Sequence, residues 1–122
     1  MENGDQPLAP HLDVTEERPE AETRLVALRG ELDVATVGRL RRALTPIIED
    51  PEVQLVVVDL VEVTFIDSTG LMTLLNALRR LVRRGGRLVL ACSNPTVLRL
   101  FEATRTDATF EIVSTREQAL AA

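Results

Sequence analysis

Ser68, flanked by Asp67 and by Thr69-Gly70, stands where a β-branched run gives way to an apolar helical stripe, and no other residue of this sequence is better placed for chemistry. The run Gln54-Leu55-Val56-Val57-Val58-Asp59-Leu60 has the make-up of a strand covered on both faces. Leu71, Leu74, Leu75, Leu78, Leu81 and Val82 then recur at helical spacing, with Asn76, Arg79, Arg80, Arg83 and Arg84 largely opposite. A helix is therefore expected to start near Ser68. Two roles are open to a hydroxyl at that point. Ser and Asp are preferred helix N-caps, because their oxygens accept from first-turn N–H groups that the helix leaves unpaired. Those same groups, with the positive end of the helix dipole, favour an anion, so a phosphate carried on Ser68 would find donors waiting. It would also stand beside Asp67, and two like charges on one surface repel an acidic partner or break a hydrogen-bonded contact.

Catalytic roles for this serine are not supported by the rest of the chain. There is no GxSxG elbow around it, and the only histidine, His11, lies in a polar stretch far from the motif. One histidine and one cysteine cannot build a metal site or a Ser-His pair, so no metal and no cofactor are expected. All 14 basic residues are arginine. Without lysine there is no P-loop and no Schiff base, and a phospho-aspartate receiver built on Asp59 would be expected to carry a lysine as well. Cys92 has no partner for a disulfide, which fits a reducing compartment, and at a strand end it reads as a small buried hydrophobe.

The elements that must position Ser68 follow from patterning. At 122 residues and 45% hydrophobic, the chain suits one domain with its own core. With aromatics at 2%, that core must be filled by aliphatic side chains and three phenylalanines. A net charge of −5 and the lack of stacking side chains argue against nucleic-acid binding. The arginines at 39, 41 and 42 and at 79, 80, 83, 84 and 87 read as solvated faces of two amphipathic helices, with a partner-binding basic patch as the alternative. Residues 1–10 are expected to be a disordered polar tail ahead of a domain spanning 11–122. The first residues lack the pattern of a secretion signal, no apolar run has membrane-spanning length, and a cytoplasmic protein is expected.

Within the domain, His11 to Glu17 and Thr23 to Arg29 read as a hairpin, with Arg18 to Glu22 as its turn and Gly30 as its end. A helix from Ala35 to Glu49 follows, with Asp33 near its N-cap and Pro46 expected to bend or unwind its last turn. Gly85-Gly86 closes the helix after Ser68. A strand from Arg87 to Cys92, a short helix opened by Asn94-Pro95, and a strand from Phe110 to Val113 come next. Ser114 to Glu117 has the pattern of a capping box opening a C-terminal helix. The order β-β-α-β-α-β-α-β-α implies an α/β domain, a mixed sheet of about four or five strands packed with about four helices. Open α/β folds place their sites where strands feed helices, so Asp33 and Asp67-Ser68 are expected on one rim.

Gly30-Glu31-Leu32-Asp33, Val57-Val58-Asp59-Leu60, Val63-Thr64-Phe65-Ile66-Asp67-Ser68-Thr69-Gly70-Leu71 and Gly85-Gly86-Arg87-Leu88-Val89-Leu90 together resemble the STAS domain family, specifically the bacterial anti-sigma factor antagonists, over about residues 12–120. The resemblance implies a partner-switching protein rather than an enzyme. In that family the unphosphorylated antagonist binds an anti-sigma factor that is also a serine kinase, which frees a sigma factor. The kinase phosphorylates the serine matching Ser68 and so ends binding, and a metal-dependent serine phosphatase restores the active form. Asp67, Thr69 and Gly70 match the flanking motif positions, and Asp33 matches an acidic interface residue at the first helix. The alternative is an unregulated STAS scaffold, or a subunit of a larger assembly such as a membrane transport complex, with Ser68 only a cap. Arg105-Thr106 departs from the family pattern, which has a glycine followed by an apolar residue there.

Overall fold

A computed structural model describes residues 11–121; the expected tail at residues 1–10 lies outside the described residues. The elements are β1 (Leu12–Glu20), β2 (Thr23–Leu32), α1 (Val37–Glu49), β3 (Leu55–Ile66), α2 (Ser68–Arg83), β4 (Arg87–Ala91), α3 (Pro95–Ala103), a 3-10 turn (Thr106–Ala108), β5 (Glu111–Val113) and α4 (Arg116–Ala121). The expected order of strands and helices is therefore the observed one. The five strands lie side by side in sequence order, β1 antiparallel to β2 and the rest parallel.

Strand alternation divides the apolar side chains between two faces. Val26, Leu28, Val56, Val58, Leu88 and Leu90 point to the face covered by α1, α2 and α3, where Leu40, Leu44, Leu74, Leu81, Val97 and Phe101 complete the main core. Leu25, Val57 and Val89 point the other way, onto Ala119 of α4. Three helices on one face and one on the other explain why the first half of β3 reads as an unbroken apolar run. Phe101 and Phe110 meet edge-to-face at 5.5 Å, and aliphatic side chains supply the rest. Each fully buried Leu or Val contributes on the order of 1.5–3 kcal/mol of apolar transfer.

Several boundaries differ from the sequence expectation, each for a local reason. β1 runs on through Arg18 and Pro19 to Glu20, with a register shift between Glu17 and Glu20. Proline is tolerated because β1 is an edge strand with no neighbour on its outer side. β2 does not stop at Gly30 but passes through it to Leu32, with register shifts on either side of Gly30. Gly30 has φ +120°, and a Cβ there would lie 2.3 Å from the His11 carbonyl oxygen, so only glycine lets the ladder continue. β3 likewise continues beyond Leu60 to Ile66, and this carries the chain to the start of α2. Pro46 sits inside α1, yet the helix continues to Glu49. The C-terminal capping box is shifted by one residue. Gln118 N–H donates to Thr115 Oγ1 at 3.1 Å, while Gln118 Oε1 accepts from Ser114 and Thr115 N–H groups, so the box is Thr115 and Gln118.

Asp59 is buried on the α4 side, where its Oδ2 accepts from Arg116 Nε at 2.8 Å and its Oδ1 from the Val61 N–H. The side chain that resembled a phosphate acceptor is thus committed to holding α4 against β3, and the same contact raises the Arg116 guanidinium pKa. Cys92 is buried just beyond β4, and burial pushes its thiol pKa up.

The loop at Arg105 keeps a backbone conformation that suits glycine although the residue is arginine. Its φ of 60° lies in the left-handed region, where glycine is favoured, and the hydroxyls of the following Thr106 and of Thr104 share a hydrogen bond at 2.9 Å. Arg105→Gly is therefore expected to stabilise the fold by about 0.5–1 kcal/mol, since removing left-handed strain of about 1–2 kcal/mol outweighs the extra freedom glycine gives the unfolded chain. Urea denaturation checks this; an unchanged or lower midpoint would refute it.

Candidate functional site

The site is built at the edge of the sheet where β2 and β3 end and α1 and α2 begin. Two parallel strands finish side by side, with Leu32 paired to Ile66, so the segments that follow them are neighbours. Asp67 then leaves the strand in an extended conformation, φ −108° and ψ −177°, and caps α2. Its Oδ1 accepts from the Gly70 N–H at 2.9 Å. Its Oδ2 reaches across and accepts from the Val34 N–H at 3.1 Å, in the loop between β2 and α1. One carboxylate therefore ties the two helix entrances together, and Asp33 and Ser68 do share one rim.

The cap of α2 is thus Asp67 and not Ser68. Ser68 is the first residue of the helix, exposed, and its hydroxyl has no hydrogen-bond partner among the described residues. An extended Asp has already taken the capping position, and its carboxylate occupies the Gly70 donor that a capping serine two residues earlier would have used. Thr69 is half-buried, and its carbonyl accepts from the Thr73 hydroxyl at 2.9 Å.

Gly70 is buried, and it acts through closeness rather than by offering surface. A Cβ on it would lie 2.8 Å from both Leu32 Cγ and the Leu32 carbonyl oxygen. The absence of that one carbon lets the first turn of α2 sit directly on the end of β2.

Asp33 does not cap α1. The helix begins four residues later, at Val37, and Asp33 organises the turn between them. Its Oδ1 accepts from the Ala35 N–H at 2.9 Å and the Thr36 N–H at 3.2 Å. Thr36 in turn donates its hydroxyl to the Glu31 carbonyl at 2.7 Å. Only the second carboxylate oxygen of Asp33 is left for an outside partner.

Three exposed apolar side chains belong to the segments that meet at this rim, Phe65 within the quoted motif and Val34 and Met72 outside it. Val34 is 72% exposed, Phe65 45% and Met72 47%. Val34 is fixed through the Asp67 contact, Phe65 lies three residues before Ser68, and Met72 lies one helical turn after it. Met72 carried a sequence signal: it is an apolar residue outside the buried stripe of its helix. Among the described residues there is no cluster of three or more His, Cys, Asp or Glu that could hold a metal, and no helix is long and apolar enough to cross a membrane.

The described residues thus form a five-stranded α/β sheet with a polar rim that carries an exposed serine and, on the adjoining segments, exposed apolar side chains. The STAS domain family matches residues 14–119, and the chain belongs to it. Over 79 residues the chain is 34% identical to the anti-sigma-B factor antagonist of Listeria monocytogenes, covering 65% of this chain and 68% of that protein. An anti-sigma factor antagonist from Mycobacterium paratuberculosis has a similar structure, with a TM-score of 0.80, 26% identity, and coverage of 91% of this chain and 92% of the other. The Bacillus cell fate determinant SpoIIAA in its phosphorylated form is also similar, with a TM-score of 0.71, 26% identity, and coverage of 89% and 97%.

Proposed function

We propose that this protein is an anti-sigma factor antagonist that works by partner switching: a binding protein, not an enzyme, acting in the cytoplasm. In its unphosphorylated form it binds an anti-sigma factor with serine kinase activity through Asp33, Asp67, Ser68 and Thr69, with Gly70 setting their geometry, and so releases a sigma factor. Phosphorylation of Ser68 ends the contact, and a serine phosphatase restores it. The likeness to antagonists named for that role, and to one known in a phosphorylated form, supports this reading.

The observation that carries the proposal is the setting of the Ser68 hydroxyl: exposed, without an internal hydrogen bond among the described residues, on a rim whose adjoining segments carry exposed Val34, Phe65 and Met72. An exposed hydroxyl with no partner in the fold can be modified without undoing the fold. Apolar side chains on the adjoining segments supply the centre of a contact that excludes water. A phosphate adds about −1.5 to −2 charge at neutral pH. Carrying that charge into an apolar contact beside Asp67 costs desolvation and like-charge repulsion, which outweigh the first-turn N–H groups and helix dipole that favour the phosphate on the free domain. The switch therefore acts on the complex, while the free domain keeps its fold.

Incubation with its cognate anti-sigma factor kinase and ATP is expected to add one phosphate, which Ser68→Ala abolishes. Ser68→Asp is expected to weaken binding of that kinase at least tenfold, about 1.4 kcal/mol. Modification at another residue would overturn the switch, and undiminished binding by Ser68→Asp would favour the unregulated scaffold.

A further inference from the structure

Members of the two arginine clusters, which the sequence presents as separate solvated faces some forty positions apart, meet in the fold. Arg41 of α1 and Arg79, Arg80 and Arg83 of α2 line one cleft of about 430 Å³, floored by Leu44 and Ala77. Arg80 approaches Glu49 at 3.7 Å in an exposed pair, while Arg41, Arg79 and Arg83 have no carboxylate partner among the described residues. Arg79 and Arg83 form a ridge with a second hollow on its far side, lined by Leu78 and by Val82, which is 58% exposed.

We propose that this cleft is a second docking site, away from the Ser68 rim, and that its occupant is an acidic amphipathic helix of a protein partner. The shape comes from topology. α1 and α2 each connect parallel neighbouring strands on the same face of the sheet, so they run side by side in the same direction and leave a trough that a third helix can follow. The charge spacing fits a helix as well. Arg79 and Arg83 are one turn apart, about 6 Å along the axis, the interval at which carboxylates four residues apart recur on a partner helix.

Guanidinium groups take carboxylates in two parallel hydrogen bonds, and every basic residue of this chain is an arginine. In a chain of net charge −5, a cleft of arginines with one carboxylate neighbour calls for anions from outside. The chain's 2% aromatic content leaves nothing for bases to stack on. The arginines line a concave trough, whereas a lipid surface is met by a convex or flat face.

The probe is a synthetic amphipathic helical peptide with leucines on one stripe and glutamates flanking them, titrated into the full chain labelled with 15N, beside a counterpart with lysine for glutamate. The glutamate peptide is expected to shift the amide resonances of Thr45, Thr73 and Asn76, which line the cleft, and the lysine peptide to leave them in place. Arg79→Glu with Arg83→Glu, and separately Arg41→Glu on the other helix, are expected to weaken binding at least tenfold. These side chains are exposed, so the variants should keep the parent's melting temperature within a few degrees. Ser68→Asp is expected to leave peptide affinity within twofold, so that this site can fail or stand apart from the phosphorylation switch. The proposal is overturned if the glutamate peptide shifts no cleft resonance up to ~1 mM. Binding that survives the arginine substitutions overturns it too, as does arginine-dependent binding of phosphatidylserine vesicles in place of the peptide.

Discussion

Gly70→Ala should lower the stability of this domain by about 2–4 kcal/mol, the largest effect expected of any single added carbon in the motif. The position is helical, and there alanine is intrinsically favoured over glycine by about 1 kcal/mol, so intrinsic propensity predicts the opposite sign. The space decides. The new Cβ would meet Leu32 Cγ and the Leu32 carbonyl oxygen at 2.8 Å each, and Ile66 Cγ1 at 3.1 Å. Leu32 Cγ and Ile66 Cγ1 can yield through a rotamer change, but the carbonyl oxygen belongs to the end of β2. Relief therefore requires the first turn of α2 to lift from the sheet, which strains the Asp67 contacts to Gly70 and Val34 as well. Gly38→Ala, in α1, is the matched control. Its Cβ would meet nothing nearer than Arg42 Nη1 at 3.8 Å, so that variant should be neutral or slightly more stable. Urea titration of both variants checks the pair, and a Gly70→Ala midpoint equal to that of Gly38→Ala would refute the close-packing argument.

The second large effect belongs to Asp67. Asp67→Ala removes the acceptor for the Gly70 N–H and the acceptor for the Val34 N–H together. Loss of a helix N-cap costs about 0.5–2 kcal/mol, and the tether to the β2–α1 loop adds about 0.5–1 kcal/mol, since water replaces it only in part. A total near 2 kcal/mol is expected. Asp67→Asn keeps one acceptor oxygen and should lose about half as much. The more telling measurement is amide hydrogen exchange. Both the Gly70 and Val34 amides should exchange faster in Asp67→Ala, although they lie 36 residues apart in sequence. Acceleration at Gly70 alone would show that the two helix entrances are not coupled through this carboxylate. Partner binding should fall as well, because Val34 would no longer be held beside Ser68.

These two residues mark what the sequence made legible and what it did not. The order of elements followed from periodicity, because the buried stripes of α1 and α2 and the apolar run at the start of β3 are strong patterns that the sheet then uses without change. The rule that open α/β sheets gather their sites where strands feed helices was enough to put Asp33 and Ser68 on one rim. Which residue caps α2 was not legible. Asp67 and Ser68 are both good caps, and the choice depends on how far β3 runs, which its mixed second half, Val61 to Phe65, obscured. Asp33 shows the same limit. An acid before a helical stripe reads as its cap, whereas here it folds a turn whose length only Thr36 and Glu31 determine. Gly70 looked like one more motif letter, and its reason lies in the carbonyl of a residue on another strand. The arginine cleft was least legible of all, because nothing in a linear reading says that the polar faces of α1 and α2 turn toward each other.

The length of α2 has a consequence for signalling. From Ser68 to Arg79 the helix rises about 16 Å, and to Arg83 about 22 Å. At physiological ionic strength the Debye length is about 8 Å, so a charge placed on Ser68 is attenuated several-fold before it reaches the arginines. α2 therefore serves as an insulating spacer: its two ends sit in separate electrostatic neighbourhoods. Under the proposed switch, a partner held at the far end would stay engaged while Ser68 is phosphorylated and dephosphorylated, so release of one partner need not disperse the others.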